Sequence, residues 1–184
     1  MKTSNAPAST TPTKHDAIVV LKNDHAEVKK LFKESERLAN KEDIAGKTAV
    51  ANRICAELTV HTKIEEEIFY PAAREAIEDD DLLNEADVEH ASAKDLISQI
   101  QSGDPTDPMY DAKVKVLSEY IDHHVEEEET EMFPKVREAK KLDLKAMGQE
   151  LTDKKGAMLQ ALTSKGGEID PAKLASLLDS DTQH

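Results

Sequence analysis

Two stretches of the chain repeat one arrangement of metal-ligating side chains. HTKIEEEIFYP (residues 61–71), laid beneath HVEEEETEMFP (residues 124–134), aligns His61 with His124 and Glu65 with Glu128. The next glutamates, Glu66 and Glu129, and the prolines, Pro71 and Pro134, also coincide. Side chains at i and i+4 lie one above the other on a helix face, so each His-Glu pair can grip a common ion. Two further segments, NDHAEVKKLF around His25 and VEHASAKDLI around His90, match more loosely: an acidic residue precedes each histidine, a lysine follows four residues later, and apolar residues lie beyond. The repeat therefore supplies His25, then His61 with Glu65, then His90, then His124 with Glu128. Imidazoles and carboxylates together suit iron, manganese or zinc, and two bridging carboxylates with two histidines per ion would hold a metal pair without thiolates.

Each histidine alone could equally be a satisfied core residue. Two glutamates facing one core are harder to place without metal, because the apolar stripes offer no arginine or lysine at their level to neutralise them. His15 and His123 lie off the stripes and read as exposed structure. Glu66, Glu67, Glu126, Glu127 and Glu129 read as a solvated face, with Glu66 or Glu129 able to stand behind a ligand. Cys55 reads as a small core filler.

Helices must position these groups. Ile18, Leu21, His25, Val28 and Phe32 recur at spacings of three and four. Ile54, Leu58, His61, Glu65, Ile68 and Ala72 do the same, as do Leu83, Ala86, His90, Ala93, Ile97 and Ile100, and finally Val114, Leu117, Ile121, His124, Glu128 and Met132. Breaks fall at 40–43, at the Asp79-Asp80-Asp81 run and at GDPTDP (103–108). Leu144, Met147, Leu151, Met158 and Leu162 suggest a fifth helix that caps or packs on the bundle, and PAKLASLL (171–178) a short terminal one. The expectation is an all-α protein: a bundle of four helices over 16–140, a disordered leader over 1–15 and a C-terminal helical extension over 141–184.

Composition narrows the function. With 34% charged and 3% aromatic residues and a formal net charge of -14 over 184 residues, the chain lacks the basic surface that nucleic-acid binding needs. The single cysteine rules out an internal disulfide or a thiolate cage and fits a reducing cytoplasm. The first residues lack the apolar core of a signal peptide, and no stretch is long enough for a membrane helix.

At DAIVVLKNDH, HTKIEEEIFYP, the Glu89-His90 pair and HHVEEEETEMFP the sequence resembles the hemerythrin-like HHE cation-binding family, over roughly 16–139. That resemblance implies a four-helix bundle holding two non-haem iron ions, oxo- or hydroxo-bridged, with His25, His61, His90 and His124 as terminal ligands and Glu65 and Glu128 as bridges. Myohemerythrin, a member of the wider hemerythrin group, exemplifies the up-and-down topology that the resemblance implies. Two positions depart from the oxygen-carrying members: Lys94 stands where they have a second histidine on the third helix, and Glu128 lies four residues after the last histidine where they use aspartate at five. A ferritin-like site, with glutamate preceding histidine, has the opposite order. The leading expectation is a di-iron protein that meets O2, H2O2 or NO, with peroxide decomposition as a possible activity and Lys94 or a nearby tyrosine as proton source. An iron or oxygen sensor or store, and a metal-free structural bundle, are the alternatives.

Overall fold

The computed structural model describes residues 16–181, with side chains described through 178. The leader expected over 1–15, including His15, lies outside the described residues. Four long helical arms form the bundle: α1 (Ala17–Ala39), then α2 (Ile44–Ile64) running through a π-helical turn (Glu65–Phe69) into α3 (Tyr70–Ala76), then α4 (Asp80–Gln101). The last arm is α5 (Pro108–Glu127), running through a second π turn (Glu128–Met132) into α6 (Phe133–Ala139). The extension adds α7 (Leu144–Leu162) and α8 (Pro171–Asp181). No strand occurs among the described residues.

Aspartates set the helix starts. Asp16, Asp43, Asp79, Asp107 and Asp143 each accept backbone N–H groups from the first turn of α1, α2, α4, α5 and α7, satisfying donors with no partner in the helix and placing negative charge at the positive end of its dipole. Asp16 also binds the Arg137 guanidinium at 3.0 and 3.1 Å, fastening the start of α1 to α6.

The stripes on α1, α4 and α5 are buried where the periodicity places them. The second arm differs. Ile68 and Ala72, expected inward, are only half-buried, while Phe69, Tyr70 and Ala73 are buried. The π turn is the cause: the Tyr70 N–H bonds to the Glu65 carbonyl, five residues back, so one extra residue enters the turn and the inward face advances by one position. The equivalent turn closes from Phe133 N–H to the Glu128 carbonyl.

The α7 helix lies on α1 and α2, and α8 touches α4, α7 and α2. Leu151, Leu162, Leu174 and Leu178 join the same apolar core as the bundle, so the extension shares its packing. No described helix is long and apolar enough to cross a membrane.

Candidate metal centre

All six residues singled out by the repeat converge in the buried middle of the bundle, each 6% exposed or less. His25, His61, Glu65 and Glu128 offer ligand atoms within 4.8 Å of one another, and Glu65, His90 and His124 form an adjoining group. The Nε2 atoms of His25 and His61 are 3.2 Å apart, as are those of His90 and His124. Glu65 Oε2 lies 3.2 Å from His61 Nε2 and 3.4 Å from His90 Nε2, spanning both pairs. Glu128 Oε2 does likewise, 3.2 Å from His25 and 3.6 Å from His124.

The opposite edge of each imidazole fixes what these nitrogens can do. His25 Nδ1 is 2.9 Å from Glu129, His90 Nδ1 is 3.0 Å from Glu66, and His124 Nδ1 is 2.7 Å from Glu89. A carboxylate accepts, so each Nδ1 donates, and a ring without a second proton presents the lone pair of Nε2 inward. Two rings facing one another through Nε2 at 3.2 Å call for a positive charge between or beside them, a shared proton or a cation. Both oxygens of Glu65 and Oε2 of Glu128 are buried with no hydrogen-bond partner. Imidazole nitrogens aimed inward and carboxylate oxygens left without donors make a donor set that can hold a metal cation.

Electrostatics agree. Burial pushes Glu65 well above the usual carboxylate range, and the negative charge of Glu128 adds to it. Burial acts on Glu128 in the same direction, but the facing His124 and His25 imidazoles outweigh it and hold Glu128 well below that range. Burial lowers His61 to about 4.

Several contributors escaped the periodicity. Tyr70, brought inward by the π turn, donates its phenol O–H to Glu128 Oε1 at 3.0 Å and lies 3.1 Å from His90 Nε2. The equivalent position in the repeat is Phe133, whose ring stacks on His25 with centroids 5.8 Å apart. Asp24 and Glu89, the acidic residues preceding His25 and His90, each face a histidine on another helix: Asp24 Oδ2 is 3.6 Å from His61 Nδ1, and Glu89 holds His124. Glu66 and Glu129 stand behind His90 and His25. Lys94 grips both oxygens of Glu66, at 2.6 and 2.8 Å, on the outer side of His90. His123 is exposed and points outward, between Glu89 and Glu127. Cys55 is buried in the core and its thiol is pushed up to about 12.

A cavity of about 10 Å³ lies against the four imidazoles, walled by Val28, Leu58, Ile121 and Val125. One of about 140 Å³ between α4 and α5, lined by Val88, Tyr120 and His123, reaches His90 and His124 from the surface. A larger groove of about 550 Å³ between α1 and α5, lined by Phe32, Ala39 and Val114, contains none of the six residues.

An all-helical bundle with inward histidines and paired glutamates defines a cation-binding domain of the non-haem metal type. The hemerythrin HHE cation binding domain model matches residues 16–136, and the chain belongs to that family. Among solved structures, a hemerythrin HHE cation binding domain-containing protein from Mycobacterium kansasii is similar, with a TM-score of 0.66 and 28% identity, covering 88% of this chain and 98% of that one. A curated protein from Nostoc sp. named DNA nickase is 30% identical over 118 residues, which are 64% of this chain. The match spans only 32% of that relative's length.

Proposed function

We propose that the chain holds two iron ions, that His25 and His61 would hold one, His90 and His124 the other, and Glu65 and Glu128 both, and that the centre binds small oxidants such as O2, H2O2 or NO and decomposes peroxide. The observation that carries this reading is the set of carboxylate-pinned imidazoles whose lone pairs converge on partnerless carboxylate oxygens. Bound iron would supply an electron-transfer couple and an open coordination position.

The chain's own residues supply selection and protons. The cavity against the imidazoles is only about 10 Å³, about the space of one water, so the site has no room for an organic substrate. The surface pocket lined by His90 and His124 gives small oxidants a route inward. Taking one H2O2 to two waters breaks its O–O bond and consumes two electrons and two protons, and oxidation of a second H2O2 to O2 returns both. The Tyr70 phenol is a buried O–H within the ring of site residues, whereas Lys94 is occupied by Glu66 outside it, so Tyr70 takes the proton-donor role.

A second reading, sensing of metal or oxidant through the extension, draws support from the packing of α7 on α1 and α2 beside the centre. The nicking named for the Nostoc protein belongs to a much longer chain. A net charge of -14 opposes contact with a phosphate backbone, so the proposal includes no nucleic-acid partner.

Metal analysis and an absorption spectrum of purified protein, before and after H2O2, test the proposal beside a His61→Ala, His124→Ala double variant. Two irons per chain with rapid peroxide loss, both absent in the variant, are expected. Two irons without turnover would favour sensing, and a metal-free protein of equal stability would sink both readings.

A further inference from the structure

We infer that Lys155, on α7 of the C-terminal extension, is a positioning residue for the cation centre: it holds Asp24 against the back of His61 from outside the four-helix bundle. The inference rests on the proposed reading of the histidines as ligands.

The other three histidines show the pattern. His25 is backed by Glu129, which pairs with Lys22 at 3.2 Å; His90 is backed by Glu66, which pairs with Lys94 at 2.6 Å. His124 is backed by Glu89, whose other oxygen faces the His123 imidazole at 3.6 Å. In each case the group behind the carboxylate comes from the bundle. For His61 it comes from α7: Lys155 Nζ lies 2.7 Å from Asp24 Oδ1 and 3.2 Å from Glu57 Oε2.

Two carboxylates at this depth need that cation. The side chains of Asp24 and Glu57 are only 12% and 7% exposed, and although Arg53 reaches Glu57 at 2.6 Å, it is Lys155 that spans both. Remove its charge and Asp24 is left as a mostly buried anion beside another, which favours turning it away or neutralising it. With Lys155 in place, Asp24 Oδ2 faces His61 Nδ1 across 3.6 Å, and neither atom has a hydrogen-bond partner. A carboxylate there fixes the proton on Nδ1 and leaves Nε2 bare toward Glu65, 3.2 Å away. Such partners behind a ligand are typically worth 10–100-fold in metal affinity.

The neighbouring Lys154 is the internal control. It pairs with Glu67 on the protein surface, so it also ties α7 to the second arm but touches nothing that backs a histidine.

Cobalt(II) titration of the full-length protein, followed by its visible absorption bands, tests the inference. The wild type should bind two ions. Lys155→Met should weaken one of the two by about 10–100-fold and shift its bands while leaving the other in place, Lys155→Arg should restore most of the loss, and Lys154→Met should leave both affinities unchanged. Two unaltered affinities in Lys155→Met, whatever its melting temperature, would overturn the inference, as would equal losses in Lys154→Met. Should Lys155→Met fail to fold, Asp24→Asn decides: the same one-site weakening is expected, and two unchanged sites refute it. A wild type that binds no cobalt would instead refute the ligand assignment beneath the inference.

Discussion

Replacing Glu65 with methionine should make the metal-free protein more stable and the metal-loaded protein less so. Glu65 is fully buried, and neither of its oxygens has a hydrogen-bond partner. A buried polar group in that condition costs about 1–3 kcal/mol. Methionine has the same length, no polar atom and enough flexibility to fill the space, so Glu65→Met should recover about 2 kcal/mol in chelator-treated protein. For a domain of this size that is roughly 4–8 °C in melting temperature. Adding ions reverses the order. A ligand at 100 times its dissociation constant stabilises by about 2.7 kcal/mol, and the wild type gains this in full while the variant, lacking one bridge, does not. Calorimetric melts of both proteins, stripped and metal-saturated, should therefore cross. If stripped Glu65→Met melts below the stripped wild type, Glu65 is stabilised by protein partners alone and is not a waiting metal ligand.

Tyr70→Phe should keep both ions but slow peroxide consumption by about 100-fold, the scale of a lost general acid; an unchanged rate at full metal content would remove Tyr70 from the chemistry. His61, lowered to about 4 by burial from an ordinary 6.5, is neutral in the folded metal-free protein and takes up a proton more readily once unfolded. Its stabilising contribution is therefore present above pH 6.5 and lost as pH falls from 6.5 to 4, on the order of 3 kcal/mol; urea unfolding of stripped protein from pH 7.5 to 4.5 should show a flatter profile for His61→Leu, and parallel profiles would count against the shift. Cys55, buried with its thiol pushed up to about 12, should resist an aromatic disulfide reagent at pH 8 until denaturant is added; prompt labelling of the native protein would contradict that burial.

The helical stripes and all six proposed ligands were legible because each relies on local spacing. Leu83, Ala86, His90, Ala93, Ile97 and Ile100 repeat at three and four, and a regular helix buries every one of them. The π turns were hidden because the sequence is degenerate where they act: Ile68 and Phe69, like Ala72 and Ala73, are adjacent apolar residues, so a face advanced by one position looks as apolar as the regular one. Only the closing bond from Tyr70 N–H to the Glu65 carbonyl distinguishes them, and with it the placing of Tyr70. Asp24 and Glu89 left a faint signal, an acid before each lone histidine, but each acts on a histidine of a different helix, which depends on how the arms pack. Lys155 left none, since its role depends on where α7 docks.

The two halves of the repeat share the proposed ligands and differ around them, and the differences fall on one side. At His25 the equivalent of Tyr70 is Phe133, which stacks on the imidazole and offers no proton. At His90 the phenol stands 3.1 Å from Nε2, and His90 and His124 line a pocket of about 140 Å³ together with the exposed Val88, Tyr120 and His123. The carboxylate behind His124 faces His123, itself at the surface, while the carboxylate behind His61 is sealed under Lys155 of α7. The surface pocket of about 140 Å³ and the Tyr70 phenol thus both lie on the His90–His124 side, while Phe133 and α7 pack on the His25–His61 side. In the proposed function the two ion positions are consequently unequal: the oxidant is met at the first, and the second serves to hold charge and geometry.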